Sequence, residues 1–323
     1  MSLSRQHGLA MQLRHLRYFV RIVEAGSFSR AAATIHVAQP ALSQQIAELE
    51  EELGVSLLHR SARGVRPTIA GEVLYREAAA ILQQMQQLPG KVRSSSGDTE
   101  GIVNLGMNST LAASLSGPFM EVCRTALPKV ALRFITGHSL LLASRIEART
   151  LDFGVTFEDE HALIPGFVRQ KLFRQCLFLI QREICAGAAA AVSLTDLAKL
   201  PLVLPAPPNV TRSTLDRAFA EAGLVPNVAA EADSLFSIVS AVQNGIGHAI
   251  LPTGEVPNMP GHTTITATPI EPPICLTASI LAPSDIPLSG AADAVRSLLV
   301  GFIAHRLATS ALPGMEWIGG TRP

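Results

Sequence analysis

Gln39, Pro40, Ser43 and Gln44 open one apolar-backed segment of the chain, and their side chains have the chemistry to touch base edges. A glutamine amide bonds bidentately to adenine N6 and N7, and a serine hydroxyl donates or accepts. Downstream, Leu57–Pro67 holds Arg60, Arg63 and Arg66 with no acid among them, a composition suited to phosphates or a narrow minor groove. Between these two groups Glu48, Glu50, Glu51 and Glu52 crowd the segment's far end, where they would repel phosphate. The amino-terminal half must therefore do any reading. Any one of these side chains alone is an ordinary solvated group; the ordered set carries the weight.

Short helices must hold these residues in place. Leu13, Leu16, Val20 and Val23 recur at helical spacing, which predicts an amphipathic helix over 12–25. Gly26 ends it, and Ser27 is placed to cap a second helix over Phe28–Ile35, whose Ala31, Ala32 and Ala33 allow close packing. Proline is tolerated only in a first turn, so Pro40 starts a third helix near Gln39. Leu42, Ile46, Leu49 and Leu53 give it one buried face, and Gly54 closes it. At about 100° per residue, Gln39, Pro40, Ser43 and Gln44 point away from that face. Leu57–Arg60, a turn at Ser61–Gly64 and Val65–Thr68 then form a wing. The whole reads as a winged helix-turn-helix.

In LRYFV (16–20), GSFSRAA (26–32), AQPALSQQI (38–46), LEEELGVSLLHR (49–60) and PTIAG (67–71), the chain resembles the LysR-type transcriptional regulators of bacteria. With RGV at 63–65, AQPALSQQ looks most like the nitrogen assimilation control subgroup. The resemblance implies that Gln39, Pro40, Ser43 and Gln44 face the groove and that Arg60 and Arg63 hold phosphates. It implies double-stranded operator DNA as partner, bound at an interrupted palindrome by a homodimer or homotetramer, with RNA polymerase as a further contact. It makes Met11 the natural start, so residues 1–10 are expected to be a disordered extension before a DNA-binding domain at 11–70.

Residues 71–100 are expected to be a linker helix and hinge. Leu74, Ala78, Ile81, Met85, Leu88 and Val92 alternate at spacings 4-3-4-3-4, a heptad seam suited to helix pairing. The resemblance implies that two such helices pair across a two-fold axis. Pro89-Gly90 predicts a break near Leu88, followed by a polar hinge at Ser94–Asp98.

From residue 101 the pattern becomes strands alternating with helices, which predicts a parallel sheet wrapped by helices. The first unit comprises strand Ile102–Gly106, helix Leu111–Leu127 with Pro118 at its start or a kink, strand Val130–Thr136, helix Ser139–Arg149 and strand Phe153–Phe157. The second comprises Cys176–Gln181, Leu202–Leu204, helices Thr211–Ala222 and Leu235–Gly245, and strand His248–Leu251. Ile274–Leu281 and Ala291–Leu307 follow. The fold class is thus α/β, and the resemblance implies a two-lobed effector domain like the periplasmic binding proteins. Its expected span is 101–309, with lobe I at 101–172 and 273–309 and lobe II at 173–272. Residues 310–323 form a tail without readable periodicity.

Ligands of such sheets lie beyond the carboxyl ends of strands, among helix N-termini. That rule singles out Asn108, Ser109 and Thr110, then His138 and Ser139, and in the second lobe Thr211 and Arg212, preceded by Asn209. Hydroxyls and free backbone N–H groups suit an anion, so a small organic anion is the expected effector. The same residue types also serve as plain helix caps, and the subgroup resemblance allows lobes that need no ligand.

The totals bound the alternatives. The chain of 323 residues exceeds one ordinary core, and its 48% hydrophobic content is ample for burial. Apolar runs such as Leu177–Ile180 are too short for a membrane span, and the first ten residues show no apolar export segment, so a cytoplasmic location without membrane contact is expected. Cys123, Cys176, Cys185 and Cys275 form no CxxC pair and are expected to be reduced, mostly buried thiols. With 26 basic and 26 acidic residues the net charge is zero, which opposes an architectural DNA coater. No phosphate-binding loop, nucleophile elbow or zinc-protease motif is present, and the nine histidines are scattered. No enzyme activity, cofactor or metal is therefore expected. A solute-binding protein would leave the first 93 residues unexplained.

Overall fold

A computed structural model describes residues 11–61, 64–94, 99–158, 165–182, 191–252, 265–309 and 312–320. Arg63, Cys185, the 1–10 extension, hinge residues 95–98 and the Val92 side chain lie outside the described residues. Two compact units divide near Pro89, with only Ala148–Thr150 grouped otherwise.

In the first unit α1 (Leu13–Ala25), α2 (Phe28–Ile35) and α3 (Gln39–Leu53) lead into a two-stranded wing, β1 (Leu58–Ser61) and β2 (Gly64–Pro67), and then α4 (Ile69–Ser94). Local signals set these bounds. Gly26 and Gly54 end α1 and α3 at φ 59° and 69°, a left-handed conformation glycine adopts without steric cost. The Ser27 side chain accepts from Arg30 N to cap α2. Phe19, Ile22, Leu42, Ile46 and Leu49 are fully buried in one core, each worth about 1.5–3 kcal/mol of apolar burial. The wing is shifted by one residue from its expected bounds. Thr68 leaves the strand to cap α4, its Oγ1 accepting from Gly71 N at 3.0 Å, while its N–H donates to Leu57 O and its hydroxyl to Ser56 O, tying the start of α4 to the wing. At Gly71 a Cβ would lie 2.0 Å from Leu57 O, so this close approach needs glycine.

The expected break near Leu88 does not occur, since α4 continues through Pro89 and Gly90. Proline removes one ladder hydrogen bond, and near a helix end most of the ladder survives that loss. Likewise Pro118 sits inside a helix, not at its start, where burial of the neighbouring Leu115 and Phe119 outweighs the defect. The heptad seam is also divided. Ala78 is fully buried with Leu16 and Val20, and Leu74 packs there too, so both serve the chain's own head. Ile81, Met85 and Leu88 remain 40%, 44% and 55% exposed.

The second unit begins with β3 (Gly101–Asn108), α5 (Ser109–Ala126), β4 (Val130–Gly137), α6 (Ser139–Glu147), β5 (Phe153–Glu158) and β6 (Phe167–Cys176). The chain then enters β7 (Phe178–Arg182), β8 (Val192–Ser193), α7 (Leu194–Leu197), β9 (Leu202–Pro205), α8 (Val210–Glu221), β10 (Val228–Ala232), α9 (Leu235–Gln243), β11 (His248–Leu251) and β12 (Ile265–Glu271). It returns through β13 (Cys275–Pro283), α10 (Gly290–Thr309) and β14 (Met315–Trp317). Two six-stranded sheets result, ordered β14-β6-β13-β5-β3-β4 and β10-β9-β11-β7-β12-β8.

Neither sheet is wholly parallel, contrary to expectation. β3 pairs parallel with β4 and β5, but β13 runs antiparallel to both β5 and β6, and β7 antiparallel to both β11 and β12. Strands that carry the chain out to the second lobe and back must oppose one another. The chain leaves the first lobe after Cys176, a few residues beyond the expected 172, and returns between Glu271 and Cys275, where the expected boundary lies, so the first lobe keeps all of β6 and β13. The tail, unreadable as sequence, supplies the edge strand β14, paired antiparallel with β6 from Met315 opposite Gln175 to Trp317 opposite Phe173.

The expectation of reduced cysteines fails at the same place. Cys176 and Cys275 lie opposite each other in the β6–β13 register and form a disulfide. They are 99 residues apart in sequence, so only strand pairing brings them together; spacing could not reveal it. Cys123 is a buried free thiol, its pKa raised by desolvation.

Candidate nucleic-acid interface and effector cleft

The start of α3 stands clear of the head. Gln39, Pro40 and Gln44 are exposed and Ser43 is half-buried, while Leu42, Ile46 and Leu49 fill the core behind them. The wing adds Arg60 to this face. Its Nη1 donates to Ser43 Oγ at 3.1 Å, and its guanidinium lies 4.6 Å from the Phe28 ring centroid. Its Nη2 lies 4.0 Å from Glu50 Oε2, so stacking and this ion pair fix the fork, whose half-exposed guanidinium can still turn an N–H to phosphate. Arg66 is exposed on the neighbouring strand. Gln44 donates to Glu48 Oε1 at 3.0 Å, so its amide must turn to meet a base.

Sequence reasoning took Glu50 for a mere repulsive charge. In the structure it is a fastener, its Oε1 accepting from Leu57 N at 2.7 Å and Leu58 N at 3.2 Å. These two bonds set the wing against α3. Val65 N donates to Gly26 O at 3.0 Å, and at Gly64 a Cβ would meet that carbonyl at 2.7 Å. The wing therefore rests on the α1–α2 turn.

In the second unit a cavity of about 260 Å³ opens between the lobes. Ser139, buried at the start of α6, lines it, as do Asn209 and Arg212 at the start of α8. The other expected contacts are placed differently. Asn108 Oδ1 accepts from Thr110 N at 3.1 Å and Thr110 Oγ1 at 2.7 Å, so Asn108, Ser109 and Thr110 form the capped start of α5 and do not line this cavity. His138 Nδ1 accepts from Leu141 N at 3.3 Å, a cap for α6. Thr211 is buried behind the wall, its N–H donated to Asn209 Oδ1.

Thr156, Phe157 and Glu158, the carboxyl end of β5, also line the cavity and were missed, together with Asp216 and Leu281. The strand-end rule that gave Ser139 also applied to the expected strand Phe153–Phe157, whose next residue is Glu158. Arg212 is held firmly: its Nε donates to both Asp216 oxygens at 2.9 and 3.0 Å, and its Nη1 to Glu231 and to Pro205 O. The Glu231 carboxylate raises the guanidinium pKa further, against a smaller opposing effect of burial. No group of three or more His, Cys, Asp or Glu placed to hold a metal ion occurs among the described residues.

Residues 13–72 match the model of the bacterial regulatory helix-turn-helix protein, lysR family, and residues 96–303 that of the LysR substrate binding domain. The chain belongs to the LysR family of transcriptional regulators. Among curated relatives, the nitrogen assimilation regulatory protein nac of Escherichia coli is 34% identical over 296 residues, covering 91% of this chain and 96% of that protein. The nac protein of Klebsiella aerogenes is 33% identical over 297 residues, with the same coverage. Among solved structures, a full-length OxyR variant from Pseudomonas aeruginosa superposes with TM-score 0.67 at 23% identity, covering 95% of this chain and 98% of that one. CbnR, a LysR family regulator, gives TM-score 0.70 at 19% identity, covering 90% and 98%. The fold of this LysR-type regulator is thus a winged helix-turn-helix followed by a two-sheet α/β effector domain.

Proposed function

We propose that this LysR-type regulator reads an interrupted palindromic operator through the exposed start of α3, with Gln39 as a base reader and Arg60 as a phosphate contact. The carrying observation is the outward face of Gln39, Pro40 and Gln44 beside an arginine-bearing wing. It acts by binding alone, without a catalytic step, in the cytoplasm where its DNA is. Gln39→Ala should weaken binding to the cognate operator by about 1–3 kcal/mol and barely alter binding to random DNA. Equal losses on both DNAs, measured by fluorescence anisotropy, would remove Gln39 as a reader.

Homo-oligomerisation sets the head spacing. Ile81, Met85 and Leu88 lie within about 60° of one another around α4 and are exposed, the arrangement of a pairing seam. Met85→Glu should lower the oligomer mass by light scattering, and an unchanged mass would show that this seam is not used. A small-molecule effector in the inter-lobe cavity sets activity by binding one lobe arrangement better than another. The nac relatives favour a second reading, control of nitrogen assimilation genes, for which the resemblance in sequence leaves room for lobes that need no ligand.

A further inference from the structure

The cavity walls carry more negative than positive charge. Glu158 is 8% exposed at its side chain, and its Oε1 receives Arg169 Nε. Its Oε2 has no partner among the described residues. Two residues earlier on the same face of β5, Thr156 is 1% exposed and its hydroxyl is likewise unpartnered. On the opposite wall the Arg212 guanidinium is shared between Asp216 and Glu231. Of the lining residues Glu158 and Asp216 thus stand against Arg212, with Arg169 and Glu231 paired to them from behind, and no unspent guanidinium or ammonium lines the cavity among the described residues.

An anion would meet the buried Glu158 carboxylate where little water screens it. The starts of α6 and α8 contribute at most about half a positive charge each, and Asn209 Oδ1 already takes Thr211 N and Arg212 N of α8. A positive donor group finds the opposite conditions, a free acceptor oxygen on Glu158 and a second acceptor on Thr156. Leu140, Phe157, Val210 and Leu281 supply apolar surface for the rest of a ligand.

We propose that the cleft selects a ligand bearing a primary ammonium group on a compact apolar body, with the ammonium on Glu158, in place of the organic anion expected from the sequence. This rests on the cleft being the effector site. The test is calorimetry on the full-length protein with matched pairs: 3-methylbutylamine against 4-methylpentanoate, and 2-phenylethylamine against 3-phenylpropanoate. Each amine should bind at least about tenfold more tightly than its carboxylate counterpart, and Glu158→Gln should erase that preference. Should Glu158→Gln fail to fold, Asp216→Asn, at the more exposed end of the wall, should shrink the preference by a smaller factor. Carboxylates binding as well as or better than amines would overturn the ammonium assignment while leaving the effector site standing. A preference for amines that survives both substitutions would also overturn it. Binding of none of the four probes would remove the effector site, and this inference with it.

Discussion

The head and the effector domain hold the side chains proposed to meet DNA and ligand in different ways. In the head, Gln39, Pro40, Ser43 and Gln44 come from the first two turns of one helix, and a single core of Leu42, Ile46 and Leu49 directly behind them fixes their direction. In the cleft, Ser139, Glu158, Arg212 and Leu281 come from four distant stretches of chain, and none is positioned until two sheets have formed. A site built on one helix is only as stable as its own small core, whereas a site assembled from strand ends depends on the topology joining them.

That contrast can be broken by three measurements. Leu42→Ala should cost about 2–5 kcal/mol, all in the head: operator binding should vanish while the main calorimetric transition of the effector domain stays in place. Joint loss of both transitions would show that the two units do not unfold separately. Cys176→Ser should act on the other side, lowering effector-domain stability by about 2–4 kcal/mol through the released loop, with the wild type showing the same loss in reductant. A melt indifferent to both changes would mean that the cystine contributes nothing.

The smallest effect belongs to His248. Burial lowers its pKa, and its Nδ1 is buried without a partner among the described residues. The folded state therefore binds this proton less readily than the unfolded chain. The neutral form's contribution is complete above the unfolded pKa, near 6.5, and is lost as the pH falls below it. Replacing His248 with Gln should make effector-domain melting less sensitive to pH between about 7.5 and 5.5. An unaltered pH profile would show that another group governs acid sensitivity.

The head was legible because its signals are local. Ser27, Pro40 and Gly54 act within a turn of where they stand, and the apolar period of α3 names its own buried face. Legibility failed where one residue serves two demands. Thr68 reads as strand but is used as a tie to Ser56 and Leu57. Ala78 reads as an intermolecular seam but is consumed by α1. In the effector domain most strands and helices were readable, yet β6, β8, α7, β10, β12 and β14 were not; β8 and β14, of two and three residues, have too little sequence to show a period.

Sequence by itself determined the winged helix-turn-helix, the outward face of α3 and the change to a strand–helix pattern after residue 100. Those depend on hydrophobic period, caps and turn residues, which act over a few positions. Tertiary structure alone decided the mixed sheets, the Cys176–Cys275 bridge, the division of the α4 stripe and the charge on the cleft walls. Each of these requires groups far apart in the chain to be adjacent, and adjacency of that kind is set by strand order and register, which no local pattern encodes.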